Sequence, residues 1–324
     1  MSDDRLRGGE ALEAAKEESR LAAVDLAAAN VIKHAAPIVD PYQDIEFGYV
    51  SNTSDGDNIV FGGEETPNAV VVQVRRDSDR GGSIALTFAR FLGVDTQGLM
   101  AEATAAFSDG IKGYEVTERS GNAQLLPFTL HVDSWQALIS GVTTCGDHYA
   151  YNEDTGEVTL GSDGIDELNL YPGAGTDQLT PGNFGTVDIG ASGNSTADIA
   201  RQILYGINES DLAFLGGKLE FGEDGTLLLN GDTGLSAGFK DELAAIIGQP
   251  RAIPIFTSVS GNGNNAMYTI VAFGGIRIMD VKLTGKMSSK YVMIQPAVVV
   301  DDAAIESGDS DSSYYVYRPV QLVH

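Results

Sequence analysis

Ser236 is the first residue whose type and neighbours could do chemistry. It lies in Gly234-Leu235-Ser236-Ala237-Gly238, the G-x-S-x-G spacing of a nucleophile elbow, where a strand delivers the serine to a sharp turn, a helix follows, and Asp or Glu and then His come later. A helix is expected after it, over Phe239 to Ile247. Ahead of it, however, Asn230 to Gly234 read as a loop, and the one later histidine is His324. Those surroundings suit a helix cap, whose hydroxyl accepts from a first-turn amide, better than a nucleophile. Gly261-Asn262-Gly263-Asn264-Asn265-Ala266 fits G-x-G-x-x-A, but a strand is expected from Met267, so no helix N-terminus would meet a pyrophosphate. A glycine-rich turn between strands is the better reading.

Metal chemistry has two sequence candidates. The histidines, His34, His131, His148 and His324, never fall three or four apart, so no helical ligand pair forms. The loops Asp55-Gly56-Asp57-Asn58, Asp163 to Glu167 and Asp309 to Asp311 cluster the oxygen ligands that calcium prefers, although none follows the 12-residue calcium loop. Solvated acidic turns or a structural calcium both fit them. Cys145 is the one cysteine and can form neither an internal disulfide nor a cysteine-rich zinc site. Among 46 acidic residues no spacing singles out a catalytic carboxylate pair. The expected sets of catalytic and cofactor-binding residues are therefore empty, and a structural calcium is the one cofactor left open.

The elements around these candidates read as α+β. Gly8 to Ala36 is free of proline and rich in Ala, Leu and Glu, with Leu21, Val24, Ala28, Val31 and Ala35 three and four apart, which predicts a long helix. Strands are expected at Ile45 to Val50, Asn58 to Phe61, Ala69 to Arg76 and Met100 to Phe107, with a short helix over Ser83 to Leu92. Beyond about residue 124 turn signals recur. Hairpins are expected at Tyr149 to Leu160 and Lys218 to Leu229, a Ser195-capped helix at Thr196 to Tyr205, and strands at Met267 to Phe273, Ile276 to Leu283, Tyr291 to Val300 and Tyr314 to Pro319. The expected organisation is an N-terminal Ala-rich helix (1–36) packed with a small antiparallel sheet in an α+β domain (37–110). A β-rich mixed domain with two or three helices (124–324) follows.

Charge excludes some partners. With 20 Lys and Arg against 46 Asp and Glu the net charge is −26, a field that repels phosphate backbones and anionic membrane surfaces. Hydrophobic residues make up 43% of the chain, too many for a disordered acidic tail, so the chain folds. The longest apolar stretch, Ala266 to Met279, contains Arg277 and is shorter than the roughly 20 residues of a membrane helix.

The order of several segments resembles the extracytoplasmic region of TadE/TadG-like proteins of the tight-adherence (Flp) pilus assembly system. In that family an alanine-rich helix ends in AAxNG and is followed by an EFG strand, a PNAVxVxxRR strand, and a FARxxG helix leading to an AxAxA strand. Ala27 to Asn30, Glu46 to Gly48, Pro67 to Arg76, Phe88 to Gly93 and Ala101 to Ala105 are similar to these in turn. Later segments, among them TPGNFGTVDIG, NSTADIARQILYGI and SGNGNNAMYTIVAFGGIRIMDVKLTG, resemble the longer bacterial members. The family's apolar anchor is not recognisable at the front, and no D-x-S-x-S run of a von Willebrand A domain occurs.

The resemblance implies a non-enzymatic envelope component that assists assembly or anchoring of pili through protein contacts. Pilin-like or secretion-platform proteins, or a second copy, would be its partners, nucleic acid would not, and it would be held at the inner membrane by a helix upstream of this chain. No family catalytic residues exist to carry over. Two other readings stand beside it: a secreted or surface acidic β-rich adhesion module with structural calcium, and a serine hydrolase using Ser236.

Overall fold

The computed structural model describes residues 2–31, 36–51, 53, 58–63, 66–108, 110–143, 145–171, 184–190, 195–232, 237–261, 265–286, 289–307 and 312–323, with backbone only at 2–11, 184, 232 and 237. Two units result, one made of residues 1–107 and 320–324, the other of 108–319. By connectivity the second unit is inserted before the last strand of the first. Strands are numbered β1 to β22 along the chain.

In the first unit the alanine-rich segment forms α1 (Ser2–Ala29). The sheet takes β1 (Ile45–Tyr49), β2 (Val60–Phe61), β3 (Ala69–Arg76), β6 (Leu99–Ala106) and β22 (Gln321–Leu322) in the antiparallel order β2-β1-β3-β6-β22. Register puts Val70, Val72 and Val74 opposite Ala105, Ala103 and Ala101, with Phe47 and Ile45 continuing the same face. Directly opposed residues share a face, so this is one apolar stripe. The helix packs with the sheet's β1 end through Arg20, whose guanidinium lies 4.8 Å from the centre of the Phe47 ring and 5.4 Å from that of Tyr42 and donates to Pro41 O at 2.9 Å. Tyr42 in turn donates to Glu17 (2.9 Å). The half-buried positions Leu12, Lys16, Arg20, Ala23 and Ala27 mark the inward face. Leu21, a member of the expected apolar stripe, is 55% exposed, while Val31, another member, lies past the end of α1. Arg20 explains the rotation, because alanine packs on either side equally well while the guanidinium has one place to stack.

The expected helix over Ser83 to Leu92 is instead an arm. Short strands β4 (Ile84–Ala85) and β5 (Thr96–Gln97) pair with each other, and Ala89–Leu92 makes a single 3₁₀ turn between them. The Leu86 amide donates to Asp95 O and the Val94 amide to Ala89 O, closing the arm on itself.

The second unit begins with β7 (Ile111–Tyr114), β8 (Phe128–His131) and α2 (Val132–Ile139). The expected hairpin follows as β9 (Tyr149–Asn152) and β10 (Glu157–Leu160). After β11 (Leu168–Asn169) and β12 (Phe184–Val187) come α3 (Thr196–Tyr205) and α4 (Glu209–Ala213). Ser195 caps α3 as its spacing predicts, accepting from the Asp198 amide at 3.1 Å. Next are β13 (Leu219–Glu220), β14 (Leu227–Asp232), α5 (Lys240–Ala245), β15 (Pro250–Ser260), β16 (Ala266–Lys282) and β17 (Tyr291–Pro296). Short strands β18 (Val299–Val300), β19 (Ala304–Glu306), β20 (Ser313–Tyr314) and β21 (Val316–Tyr317) complete the unit.

Pairing closes into a circuit, β16-β14-β12-β8-β15 and back to β16, with β17 and β11 continuing from the far half of β16. One core cluster holds Phe128, Leu130, Trp135, Ile253, Ile255 and Ile276, and the other Tyr114, Phe256, Tyr268, Ile270 and Phe273. Neighbouring residues of β15 and β16 thus divide between two cores, as the strand period requires.

Two expectations change here. Met267 to Phe273 and Ile276 to Leu283 form one strand, β16, running through Gly274 and Gly275. A Cβ at Gly275 would fall against the carbonyls of Ala297 and Tyr315, and one at Gly274 would lie 3.0 Å from the Trp135 ring. The glycines permit close approach and do not end the strand. The segments flanking Glu223-Asp224-Gly225 are not a hairpin, since β13 pairs with β7 while β14 pairs with β16 and β12.

A candidate interaction surface

The first unit buries very little. Its apolar cluster is Val50, Ala69 and Ala106, with Val323 packed against them. The arm contributes nothing to that cluster: Phe88, Phe91 and Leu92 are 83%, 89% and 86% exposed. Met100 and Leu99 at the start of β6 are also exposed. Among the described residues β22 pairs with Ala105 and Ala106 of β6, and the Leu99 to Ala103 edge has a partner on its β3 side alone. Exposed apolar groups beside an open strand edge are a surface suited to a protein partner.

What holds this surface in place is polar. Asp44 is fully buried, and its carboxylate accepts from the guanidinium of Arg75, from Arg80 Nε at 3.0 Å and from the Asp40 amide at 2.9 Å. Arg80 also donates to Gln43 (3.0 Å). Burial by itself would raise the Asp44 pKa, but the Asp40 amide and the two guanidinium groups outweigh it and hold the carboxyl below its ordinary value. The hub thus fastens the end of β3 and the base of the arm to the segment before β1. Beside it is a cavity of about 240 Å³, lined by Pro37, Ile38, Val74, Ile84, Leu99 and Ala101 among others.

The residues singled out by sequence are scattered. Ser236, His34, His324, residues 262–264, Asp55, Asp57, Asp309 and Asp311 lie outside the described residues. Gly261, φ +81°, turns the chain after β15. His131 caps α2, its Nδ1 accepting from the Asp133 amide at 3.2 Å, and Cys145 is half-buried. Among the described residues no group of three or more His, Cys, Asp or Glu side chains converges as metal ligands. Sequence reasoning missed Asp44 with its two arginines, and it read Phe88 and Leu92 as a helix's apolar face. The available signal was the run Phe88-Ala89-Arg90-Phe91, in which a charge splits two aromatics.

No helix among the described residues is long and apolar enough to cross a membrane. No curated protein and no solved structure matches the chain significantly. Residues 7–105 match a family model described as "Putative Tad-like Flp pilus-assembly", a range that includes β1 to β5, the arm, the Asp44 hub and nearly all of β6. The match covers 99 of the 324 residues, and over that region the chain is similar to Tad-like Flp pilus-assembly proteins, a likeness that supports a role in pilus assembly and a place in the cell envelope.

Proposed function

We propose that this protein assists assembly or anchoring of Tad/Flp-type pili without catalysis, by protein contacts made through the arm and the open β6 edge of its first unit. The observation that carries this reading is a coincidence of regions: the family match, 7–105, covers the unit that leaves Phe88, Phe91 and Leu92 in water. Pilin-like or secretion-platform proteins are the partners, the aromatic pair serving as anchors and the strand edge fixing register. The acidic surface keeps the protein off anionic lipid and nucleic acid, and attachment to the inner membrane is through a helix upstream of this chain.

The test is crosslinking and affinity capture from cells of its source, comparing the unaltered chain with a Phe88→Ser, Phe91→Ser, Leu92→Ser variant. Pilus-machinery proteins enriched by the first and lost from the second support the reading. Equal enrichment by both would remove the arm from it, and no such proteins with either would remove the assembly role.

A further inference from the structure

Glu167 in the second unit is wholly buried, 0% exposed. Its carboxylate accepts from the backbone amides of His148 (2.8 Å) and Tyr149 (3.0 Å), and no described Lys or Arg forms an ion pair with it. Next to it Gln295, also 0% exposed, pushes its amide into a ring of oxygens. The amide nitrogen lies 3.1 Å from Asp163 Oδ1, 3.1 Å from Ile165 O, 3.3 Å from Tyr149 O and 3.3 Å from Glu167 Oε1. A side-chain amide has two hydrogens, so two of these four contacts hold none. The Gln295 oxygen, meanwhile, is buried with no hydrogen-bond partner among the described residues.

Turning that amide over exchanges its nitrogen and oxygen and leaves the backbone where it is. Oε1 then stands 3.1–3.3 Å from each of four other oxygens, an arrangement that a cation makes favourable. Oxygen ligands about 2.4 Å from a calcium ion and 80–90° apart lie about 3.1–3.4 Å from one another, whereas a magnesium octahedron brings them to about 2.9 Å. Calcium also takes carbonyl oxygens readily, so two carboxylates suffice and their charge balances the ion.

We propose that Asp163 Oδ1, Glu167 Oε1, Gln295 Oε1 and the carbonyls of Tyr149 and Ile165 bind one calcium ion. The backbone already prepares the site: the Ile165 amide orients Asp163 Oδ1 at 3.1 Å, and Asp147 gathers the turn by accepting from the Gly164 amide at 2.7 Å. An ion here ties the loop after the β9–β10 hairpin to β17, turning the costliest buried carboxylate of that region into a fastening. The site is independent of the pilus-assembly reading and stands or falls separately.

The experiment is thermal melting and calorimetric titration of the full chain at fixed ionic strength with calcium, with magnesium and with chelator. Calcium a hundredfold above its Kd is expected to raise the Tm of the second unit by about 5–10 °C, with one strong site and a much smaller response to magnesium. Glu167→Gln and Gln295→Met are expected to lose that rise, while Asp224→Asn, at an exposed acidic turn, keeps it. Should Glu167→Gln not fold, Gln295→Met, which preserves volume and removes only the amide, decides. Equal melts with calcium and chelator, a rise that survives in Gln295→Met, or an equal response to magnesium would each overturn the assignment.

Discussion

The two units are held by different interiors. In the second, Trp135, Tyr268, Phe256 and Phe273 are at most 1% exposed and belong to extended clusters. In the first, Phe88 and Phe91 stand in water, and what orders the surrounding chain is a buried aspartate with two arginines. Burying apolar surface stabilises a fold by about 25 cal/mol per Å², so an arm that forgoes this gains the molecule nothing while it is alone. The second unit is thus held by its apolar interior, whereas the first is ordered by polar contacts and leaves its largest side chains in water.

The comparison can be broken most forcefully at Trp135. Trp135→Ala should cost about 3–5 kcal/mol, and amide exchange followed residue by residue should quicken across both β15 and β16 and leave β3 and β6 as they were. Acceleration confined to the neighbourhood of α2 would show that the second unit is not the cooperative body its cores imply. In the first unit the corresponding weak point is polar. Asp44→Ala leaves two partly buried guanidinium groups without their acceptor and should destabilise that unit by about 2 kcal/mol, read as faster exchange of the β3 amides. An unchanged rate would mean the hub orders the side chains only.

Acid should act with opposite sign on one buried carboxylate of each unit. The Asp44 pKa is lowered on folding, so its contribution is present above the unfolded value near 3.8 and fades as pH falls through the folded value. Asp301 in the second unit is the reverse. Burial raises its pKa, more than the Ala303 and Gln124 amides and Arg251 offset, so between 3.8 and the raised value the folded state binds more proton and stability declines as pH rises. Relative to the unaltered chain, Asp44→Asn should lessen the loss of stability in acid, and Asp301→Asn should remove the gain that Asp301 brings there. Changes of the same sign in the two variants, each measured against the unaltered chain, would contradict this. The smallest effect is expected at the arm, where Phe88→Ser with Phe91→Ser should change stability by less than about 0.5 kcal/mol. A larger loss in denaturant titration would mean the arm is structural.

Local sequence carried the parts of the fold whose cause is local. Ser195 with Asp198 three residues on announces α3, and Val-x-Val-x-Val against Ala-x-Ala-x-Ala announces β3 and β6. It failed where distant partners decide. Gly274-Gly275 looks like a strand end until Trp135 and the Ala297 and Tyr315 carbonyls are known to press on it. Phe88 and Leu92 have the spacing of a buried helix face, and only the self-closure of the arm keeps them outside. Asp163 to Glu167 was legible as an oxygen-rich loop, but nothing in its sequence foretells that Gln295, on β17, reaches into it. Likewise the hub reads as three ordinary charges until β3 brings Arg75 to Asp44.

The insertion of residues 108–319 ahead of β22 imposes an order on biosynthesis. When β6 leaves the ribosome, the strand that will flank Ala105 and Ala106 has not been translated, and it appears only after the entire second unit. The first unit therefore completes its sheet last, although most of it is made first. A prematurely terminated chain would keep the apolar arm yet lack Gln321 and Leu322, leaving the whole outer edge of β6 unpaired. Such a product would be sticky in the way that folding surveillance and proteases recognise, and only a chain read to its final strand would present the shortened edge described above.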